Sequence, residues 1–338
     1  ANVSDERLTF NIGTGAITNL GLMQASNGGI LRLSGGTIAG TGDVLALAGS
    51  LVEIQNMTFD GVTLSTRDGG VIRDIANSTY INSANTGTFE VVAGGVVNYI
   101  GNLNNTGGLV QVRSGGIVNV EKGDPADAPA RFTLDGGRLM IDEGGEVNGD
   151  TSGLALVNTA VGGFGVINSD VYATTGSSIE PGNDAMAGLL TIKGDLTTEA
   201  DSQIILDVFG LGTGMFDQLL VGGELNLAGT VLFNILDPAM LEEFVENFSL
   251  FDLIFGTDGQ GKAPQLGDIA NATFEAIMAN SLTQLLLADD GSGGFTLGVT
   301  DPIPDQVPEP GVLVLFCIGL LLLSIQAGRG SWYRWRRV

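Results

Sequence analysis

The sequence predicts an all-β protein built as a right-handed parallel β-helix, with a short capping helix and one C-terminal transmembrane helix. Three observations support this prediction. Paired glycines recur in the first half of the chain, short alternating apolar runs follow them, and an uncharged apolar stretch lies near the C-terminus. The chain has 338 residues, of which 53 are glycine, about twice the average usage.

Paired glycines punctuate residues 1–180, which we assign to glycine-rich β-helix repeats. Most pairs precede a run in which apolar and polar residues alternate, as in Gly116-Ile117-Val118-Asn119-Val120. Glycine supplies the positive φ of a corner, and a period-two run is typical of a short strand. The eight pairs begin at Gly28, Gly35, Gly69, Gly94, Gly107, Gly115, Gly136 and Gly144.

The spacing of the glycine pairs indicates the architecture. Gly94, Gly115 and Gly136 follow one another at equal intervals, and a much shorter interval separates Gly136 from Gly144. An interval of about twenty residues fits one turn of a parallel β-helix made of two or three short strands. Stacked turns bury apolar side chains that a single turn leaves exposed.

A β-sandwich is the alternative fold. It would contain hairpins closed by two-residue turns, and three Asp-Gly pairs are present. The strands that flank them look only about four to six residues long, which favours the β-helix. The pairs are Asp60-Gly61, Asp68-Gly69 and Asp135-Gly136.

Residues 181–300 are predicted to continue the β-helix. Within 177–236, the segments Glu180-Pro181-Gly182-Asn183, Gly188 to Leu196 and Phe216 to Val221 resemble the passenger-type β-helix of autotransporter-like surface proteins. The resemblance covers about 60 residues and implies an architecture, with almost nothing about activity.

The same region contains a predicted helical insertion and a closing hairpin. Asp237 and Pro238 suit a helix start, and apolar residues follow at helical spacing, which predicts a short helix at about 238–248 that covers part of the solenoid. Thr283 to Leu287 and Phe295 to Val299 are predicted to form the hairpin.

Residues 311–328 form an uncharged apolar stretch that a basic tail, 329–338, follows. As a helix, this stretch would span roughly 27 Å, close to the hydrocarbon core of a bilayer. Since basic residues flank the cytoplasmic side of membrane helices, we expect the tail in the cytoplasm and the rest of the chain outside. The basic residues of the tail are Arg329, Arg334, Arg336 and Arg337.

Pro308, Glu309 and Pro310 stand immediately before this stretch, in a proline-rich linker at 301–310. The order of Pro-Glu-Pro, a leucine-rich span and terminal arginines resembles the PEP-CTERM sorting signal of bacterial envelope proteins. The resemblance covers about residues 305–337, although Trp332, Tyr333 and Trp335 depart from the commoner plain arginine cluster. It implies export and recognition by a membrane processing enzyme called exosortase, which would remove the tail near Pro-Glu-Pro.

Charge and composition restrict the function. The chain carries 38 acidic and 14 basic residues, so its net charge is −24. Such a surface repels phosphate, which excludes a nucleic-acid partner. Histidine is absent and the single cysteine, Cys317, lies in the apolar stretch, so the triads of serine and cysteine hydrolases cannot form.

The sequence contains no convincing catalytic, cofactor-binding or metal-binding residues. We considered acidic clusters for glycoside hydrolysis, at Asp142, Glu143 and Glu146 and at Asp124 and Asp127, and attribute them to the abundance of acidic residues.

Basic residues, acidic turns and glycine loops give equally weak signals. Arg131 and Arg138 near Asp135 are the only candidates for a polysaccharide lyase, and arginine is a poor base. The acidic turns at 258–261 and 289–291 carry carboxylates and carbonyls that suit weak surface binding of Ca²⁺, and acidic turns facing water are the simpler interpretation. The loop Gly210 to Gly214 lacks the residues of a phosphate loop and is predicted to be a turn.

These observations predict a non-enzymatic structural or adhesive protein of the cell surface or extracellular matrix, exported and anchored by its C-terminal helix before processing. The expected partners are an exosortase-type enzyme and extracellular polysaccharide or other surface proteins. A polysaccharide-active enzyme and a permanently anchored membrane protein are the alternatives. Export would need a signal peptide, so we expect Ala1 to begin a mature or shortened chain.

Overall fold

The chain winds into a parallel β-solenoid. A computed structural model describes residues 1–123, 131–247, 253–254, 272–278, 281–289 and 295–299. Contacts divide the chain into Ala1–Gly298 and Val299–Val338, and the solenoid lies in the first unit. Each turn of the solenoid, called a rung below, places short strands on three faces. Because neighbouring rungs pair in parallel, the β-sandwich alternative is wrong.

Face 1 and face 2 belong to one 22-stranded sheet, because β1 and β3 run from face 1 into face 2 without a break. The strands that begin in or occupy face 1 are β1 (Arg7–Thr18), β3 (Ile30–Ala39), β5 (Leu51–Gln55), β8 (Val71–Asp74), β11 (Thr88–Val91), β14 (Leu109–Val112), β17 (Arg138–Ile141), β20 (Ala160–Gly163), β23 (Ser178–Pro181), β26 (Gln203–Val208), β29 (Thr230–Ile235) and β30 (Thr273–Met278). The strands of face 2 alone are β6 (Thr58–Asp60), β9 (Asn77–Ile81), β12 (Val96–Ile100), β15 (Ile117–Glu121), β18 (Glu146–Gly149), β21 (Val166–Asn168), β24 (Leu189–Ile192) and β27 (Gln218–Val221).

Face 3 is a separate sheet of ten parallel strands, so the solenoid makes about nine complete turns. Its strands are β2 (Leu22–Ala25), β4 (Asp43–Ala46), β7 (Thr63–Thr66), β10 (Ala84–Asn85), β13 (Asn102–Asn104), β16 (Phe132–Asp135), β19 (Leu154–Val157), β22 (Val171–Ala173), β25 (Leu196–Thr198) and β28 (Leu225–Asn226).

The core is a set of side-chain ladders along the solenoid axis. Alternate residues of each strand point inward, and the parallel register places like upon like, as for Leu31, Val52 and Ile72 on face 1. Aromatic rings extend this order, since the Phe59 and Tyr80 ring centroids stack 5.1 Å apart. Burial of these rows supplies the stability that one rung cannot provide.

The core also encloses polar groups that are hydrogen-bonded to each other. Tyr80 donates its hydroxyl to Asp74 at 2.8 Å, and Asn85 donates its amide to Asn105 at 2.7 Å. All four residues have no measurable exposure. These hydrogen bonds offset the cost of burying the four polar side chains.

Rung length varies much more than the glycine spacing suggested. The predicted step from Gly94 to Gly115 is confirmed, because the Gly94 amide donates to the Gly115 carbonyl at 3.1 Å. The predicted step from Gly115 to Gly136 is wrong, because the Gly115 amide donates to the Gly144 carbonyl instead, at 2.8 Å. In the sequence, the additional residues of this longer rung fall between β15 and β16, and the strand pairings of faces 1 and 2 keep their register across this rung.

Outward side chains on face 1 form a row of ion pairs, called the arginine–carboxylate row below. Glu53 accepts from Arg32 at 2.7 Å, and Glu90 accepts from Arg73 at 2.8 Å. Arg113 then joins Glu90 to Asp142 in the following rungs. The row consists of Arg7, Arg32, Glu53, Arg73, Glu90, Arg113 and Asp142.

Face 2 carries a corresponding asparagine row, formed by Asn98, Asn119, Asn148 and Asn168. From Asn119 onward, each amide donates to the side-chain oxygen of the preceding asparagine, at distances between 2.7 and 2.9 Å. The in-register stacking that orders the core therefore also orders the outer surface.

The predicted helical insertion is present. A 3₁₀ turn, Pro238–Met240, leads into helix α1, Leu241–Asn247, and the Asp237 carboxylate accepts from the Ala239 amide at 3.0 Å. Phe244 is fully buried and its ring centroid lies 5.4 Å from that of Phe233, so α1 packs on the core at β29.

Strands β31 (Ser281–Asp289) and β32 (Phe295–Val299) occupy the positions predicted for the closing hairpin. The described antiparallel pair is β30 with β31. The predicted linker, transmembrane helix and basic tail, residues 301–338, lie outside the described residues. Within the described part of the chain, no helix is both long and apolar enough to cross a membrane.

Candidate functional site

The candidate site is a groove on the outer surface of face 1, near the C-terminal end of the described solenoid. It runs across β17, β23, β26 and β29, and two long corner loops border it. Its cavity has a volume of about 310 Å³, a size typical of small-ligand pockets. The lining residues are Arg138, Glu180, Pro181, Gly182, Asn183, Asp184, Ile205, Asp207, Phe209, Asp217, Asn234 and Leu236.

The first border is the loop between β23 and β24, where the chain turns at Gly182 with φ of +74°. A side chain at Gly182 would overlap the Asp217 carboxylate and the Gly188 amide, so the close packing of the loop requires glycine. Asn183 and Met186 exchange two backbone hydrogen bonds of 3.1 Å and close the turn.

The second border is the loop between β26 and β27, which Asp217 ties to the first. The Asp217 carboxylate accepts from the Gly188 amide at 2.8 Å and from the Asp207 amide at 2.9 Å. Asp217 is 1% exposed. One carboxylate therefore fixes both loops, and the geometry of the groove depends on it.

Two carboxylates of the groove have pKa values above the ordinary value for aspartate. Burial raises the pKa of Asp217 to about 7, more than its backbone hydrogen bonds lower it. Burial also raises the pKa of Asp207, which accepts from the Asn234 amide at 2.7 Å. Perturbed pKa values concentrate at functional sites, although buried structural groups show them too.

Arg138 and Glu180 close one end of the groove with an ion pair of 3.0 Å. The two residues are separated by one rung, whose residue in register with Glu180 is Gly162. Because Gly162 has no side chain, Arg138 can reach Glu180 across that rung.

The groove brings together two segments whose sequences predicted only the architecture of the chain. Glu180-Pro181-Gly182-Asn183 and Asp217 were noticed through their resemblance to passenger-type β-helices, and the structure places them together in the groove. Sequence reasoning missed their role as site residues, together with that of Asp207. Asp207 lies on β26, whereas Asn183 and Asp217 lie in two different corner loops, so no pattern in the sequence connects them.

The acidic clusters considered from the sequence do not converge in the described structure. Glu143 and Glu146 are exposed, and Asp142 accepts from Gln111 and Arg113 in the outer rows. Asp124 and Asp127 lie outside the described residues.

The two candidate lyase arginines are separated. Arg138 belongs to the groove, whereas the Arg131 guanidinium lies 3.5 Å from the centroid of the Tyr172 ring. The exposed Asp135 does not line the groove. The three residues considered for a lyase therefore do not lie together in one site.

The remaining sequence candidates are placed only in part. Gly210 to Gly214 lie in the second border loop of the groove, as a turn. The predicted weak Ca²⁺ positions at 258–261 and at Asp290 and Gly291 lie outside the described residues, as do Pro308, Glu309, Pro310 and the four tail arginines. Among the described residues, no group of three or more acidic, histidine or cysteine side chains is arranged to hold a metal ion.

Comparison with known proteins adds no assignment. No protein-family model matches the chain, and no curated protein sequence matches it. The solenoid, its outer rows and the groove are thus the observations from which a function is inferred.

Proposed function

We propose that this chain is an exported structural or adhesive protein of the cell surface or extracellular matrix. In this proposal the solenoid, wound right-handed, is the part displayed outside the cell. The PEP-CTERM-like segment around Pro308, Glu309 and Pro310 sorts it, and an exosortase-type enzyme removes the tail. Extracellular polysaccharide or other surface proteins are its partners.

The outer rows are the observation that supports this role best. Arg73 and Arg113 bind Glu90, and the asparagines of face 2 bind one another. Side chains that are occupied in bonding their neighbours stiffen the surface and are poorly placed to act on a substrate. Parallel stacking adds length without needing a disulfide, and Cys317 is the only cysteine in the sequence.

Membrane anchoring before processing is the second part of the proposal. The apolar stretch 311–328 would cross the bilayer, with Arg329, Arg334, Arg336 and Arg337 on the cytoplasmic side. Its support is the uncharged leucine-rich composition and the arginines that follow on one side only.

The intact mass of the protein recovered from the cell surface tests this proposal. A mass that ends near Pro308 is expected if the tail is a sorting signal. A mass that retains Trp335 and the final arginines would contradict processing and favour the permanently anchored alternative. Recovery of the protein from the cell interior alone would contradict export.

A polysaccharide-active enzyme is the second candidate, and the groove favours it. Arg138, Glu180, Asp207 and Asp217 converge on one face of the solenoid, and carboxylate pairs perform glycoside hydrolysis. The backbone bonds of Asp217 count against it, because both of its carboxylate oxygens already accept from backbone amides, one from Gly188 and one from Asp207.

Product analysis distinguishes the two candidates. Purified full-length protein would be incubated with neutral and uronate-containing polysaccharides, and new reducing ends or unsaturated uronates would be measured. Release of either product, and its loss in Asp207→Asn, would establish the enzyme. We expect neither product.

A further inference from the structure

We propose that the groove on face 1 binds a short segment of a neutral glycan chain. This inference rests on the adhesive role proposed above and names the ligand class.

The wall combines apolar surface with hydrogen-bonding groups of both kinds. Ile205, Phe209 and Leu236 offer carbon surface, and Leu236 is 54% exposed. Arg138 and Asn234 carry donors, while the carboxylates accept. A sugar ring has the same combination, since its carbon faces are apolar and its hydroxyls both donate and accept.

The polar groups are held in place before any ligand arrives. Glu180 accepts from Arg138 at 3.0 Å and also from Ser178, while Asn234 donates to Asp207 at 2.7 Å. Each carboxylate oxygen has a further lone pair, and each amide or guanidinium group has further hydrogens. These side chains have therefore already lost their conformational entropy on folding, and ligand binding does not need to order them.

The charge of the wall excludes anionic ligands. Glu180, Asp184, Asp207 and Asp217 face one cation, Arg138, which is already paired with Glu180. Phosphate, sulfate and uronate groups would be repelled, and the chain as a whole carries −24. A neutral chain of sugar units avoids this repulsion and still uses the acceptors.

The direction of the groove suits a chain ligand. It extends over rungs that contribute Arg138, Glu180, Asp207 and Asn234, and neighbouring strands lie about 4.8 Å apart. A linear ligand lying along the solenoid axis would contact the Arg138–Glu180 pair and, on the following strands, Asp207 and Asn234, which are partners in the register of β26 and β29.

Calorimetric titration of the full-length chain in detergent tests the proposal. The probes are cellohexaose, maltohexaose and chitohexaose, each neutral, with a galacturonate hexamer as the anionic comparison. We expect at least one neutral probe to bind and to be recovered uncleaved, and we expect the galacturonate oligomer not to bind.

Two matched variants connect binding to the groove. Asn234→Asp keeps the side-chain shape, removes the donor and adds a negative charge beside Asp207, so the affinity for the bound probe should fall roughly tenfold or more. Asn102→Asp makes the same change at an exposed position on face 3 and should leave the affinity unchanged. The unfolding midpoint of each variant shows whether the fold is retained.

Failure of all three neutral probes to bind would overturn the proposal, as would equal binding by the galacturonate oligomer. Binding that persists unchanged in folded Asn234→Asp would also overturn it, because the ligand would then lie elsewhere. If Asn234→Asp does not fold, Leu236→Lys on the exposed rim provides the same test. The mass experiment at the cell surface is independent of these outcomes, so export and glycan binding can fail separately.

Discussion

Asp74 places a fully buried carboxyl group in the largely apolar core. It lies on β8 with no exposure and accepts from the Tyr80 hydroxyl at 2.8 Å and from the Ala76 amide at 3.1 Å. Its neighbour Arg73 points outward to Glu90 and so supplies no counter-charge in the core. Burial consequently raises the pKa of Asp74 from 3.8 to about 6, against the lowering effect of its hydrogen bonds.

The first prediction concerns the pH dependence of stability. A carboxyl whose pKa is raised by folding stabilises the fold most below its unfolded pKa of 3.8, and this contribution disappears as the pH rises through about 6. Asp74→Asn removes the titration. The stability of the wild type relative to Asp74→Asn should fall by roughly 3 kcal/mol between about pH 3 and about pH 7, measured by denaturant unfolding.

Asp135→Asn is the control for this experiment, because Asp135 is exposed on face 3. Its stability difference from the wild type should change little over the same range. A difference for Asp74→Asn that is equally flat would show that Asp74 is not buried as described.

Gly137 provides a second prediction at the residue scale. It has φ of +66°, and an added side chain would overlap the carbonyl oxygens of Asn105 and Gly108. Gly49 has nearly the same φ, +64°, with open space around it. Gly137→Ala should cost roughly 3 kcal/mol or more and Gly49→Ala about 1 kcal/mol, as seen in thermal unfolding. Equal costs would show that the close approach at Gly137 is relieved by a small backbone shift.

At the scale of elements, the asparagine row is a series of side-chain hydrogen bonds, in which an interior residue forms two of the bonds and the last residue forms one. Asn119 donates to Asn98 and accepts from Asn148, whereas Asn168 donates to Asn148 at the end of the row. Removal of an interior amide therefore breaks two of these bonds and removal of the last one breaks one.

This difference gives the third prediction. Asn119→Ala should destabilise the protein by about 1–2 kcal/mol and Asn168→Ala by about half as much, since a net hydrogen bond contributes about 1 kcal/mol. Urea unfolding measures both. Equal losses would mean that the row adds nothing beyond each residue's contacts with its own strand.

The elements themselves could largely be predicted from the sequence. Alternating runs such as Ile117 to Val120 became strands, and Asp237 and Pro238 began a helical segment. The prediction that Gly136 occupies the position equivalent to Gly115 in the next rung was wrong, because the spacing of glycines does not show between which two strands extra residues are inserted. The groove could not be predicted either, since Asp207 and Asp217 acquire their surroundings only when two corner loops stack.

For the molecule as a whole, the parallel ladder limits most contacts to neighbouring rungs. Phe89 on β11, for example, is buried between Ile72 of β8 and Val110 of β14. Solenoids of this kind have stabilities that add up from each rung and its two interfaces.

The fourth prediction follows from this nearest-neighbour order. Phe89→Ala should cost about 3–5 kcal/mol by leaving a cavity. Hydrogen exchange should accelerate most in β8, β11 and β14, and least in β26 and β29. Phe164→Ala, at a half-buried corner, is the control with a smaller effect. Uniform acceleration along the chain would show that the solenoid unfolds as one cooperative unit.

The uneven rung length has a consequence for how such a protein can change over generations. The step between paired face 1 strands is short from Ile72 to Phe89, and it is clearly longer from Ser178 to Gln203 and on to Thr230. The two longer steps contain the corner loops that border the groove. Insertions and deletions at corners can thus create or erase a ligand cavity while the ladder keeps its register, so new specificity can arise through a change in loop length.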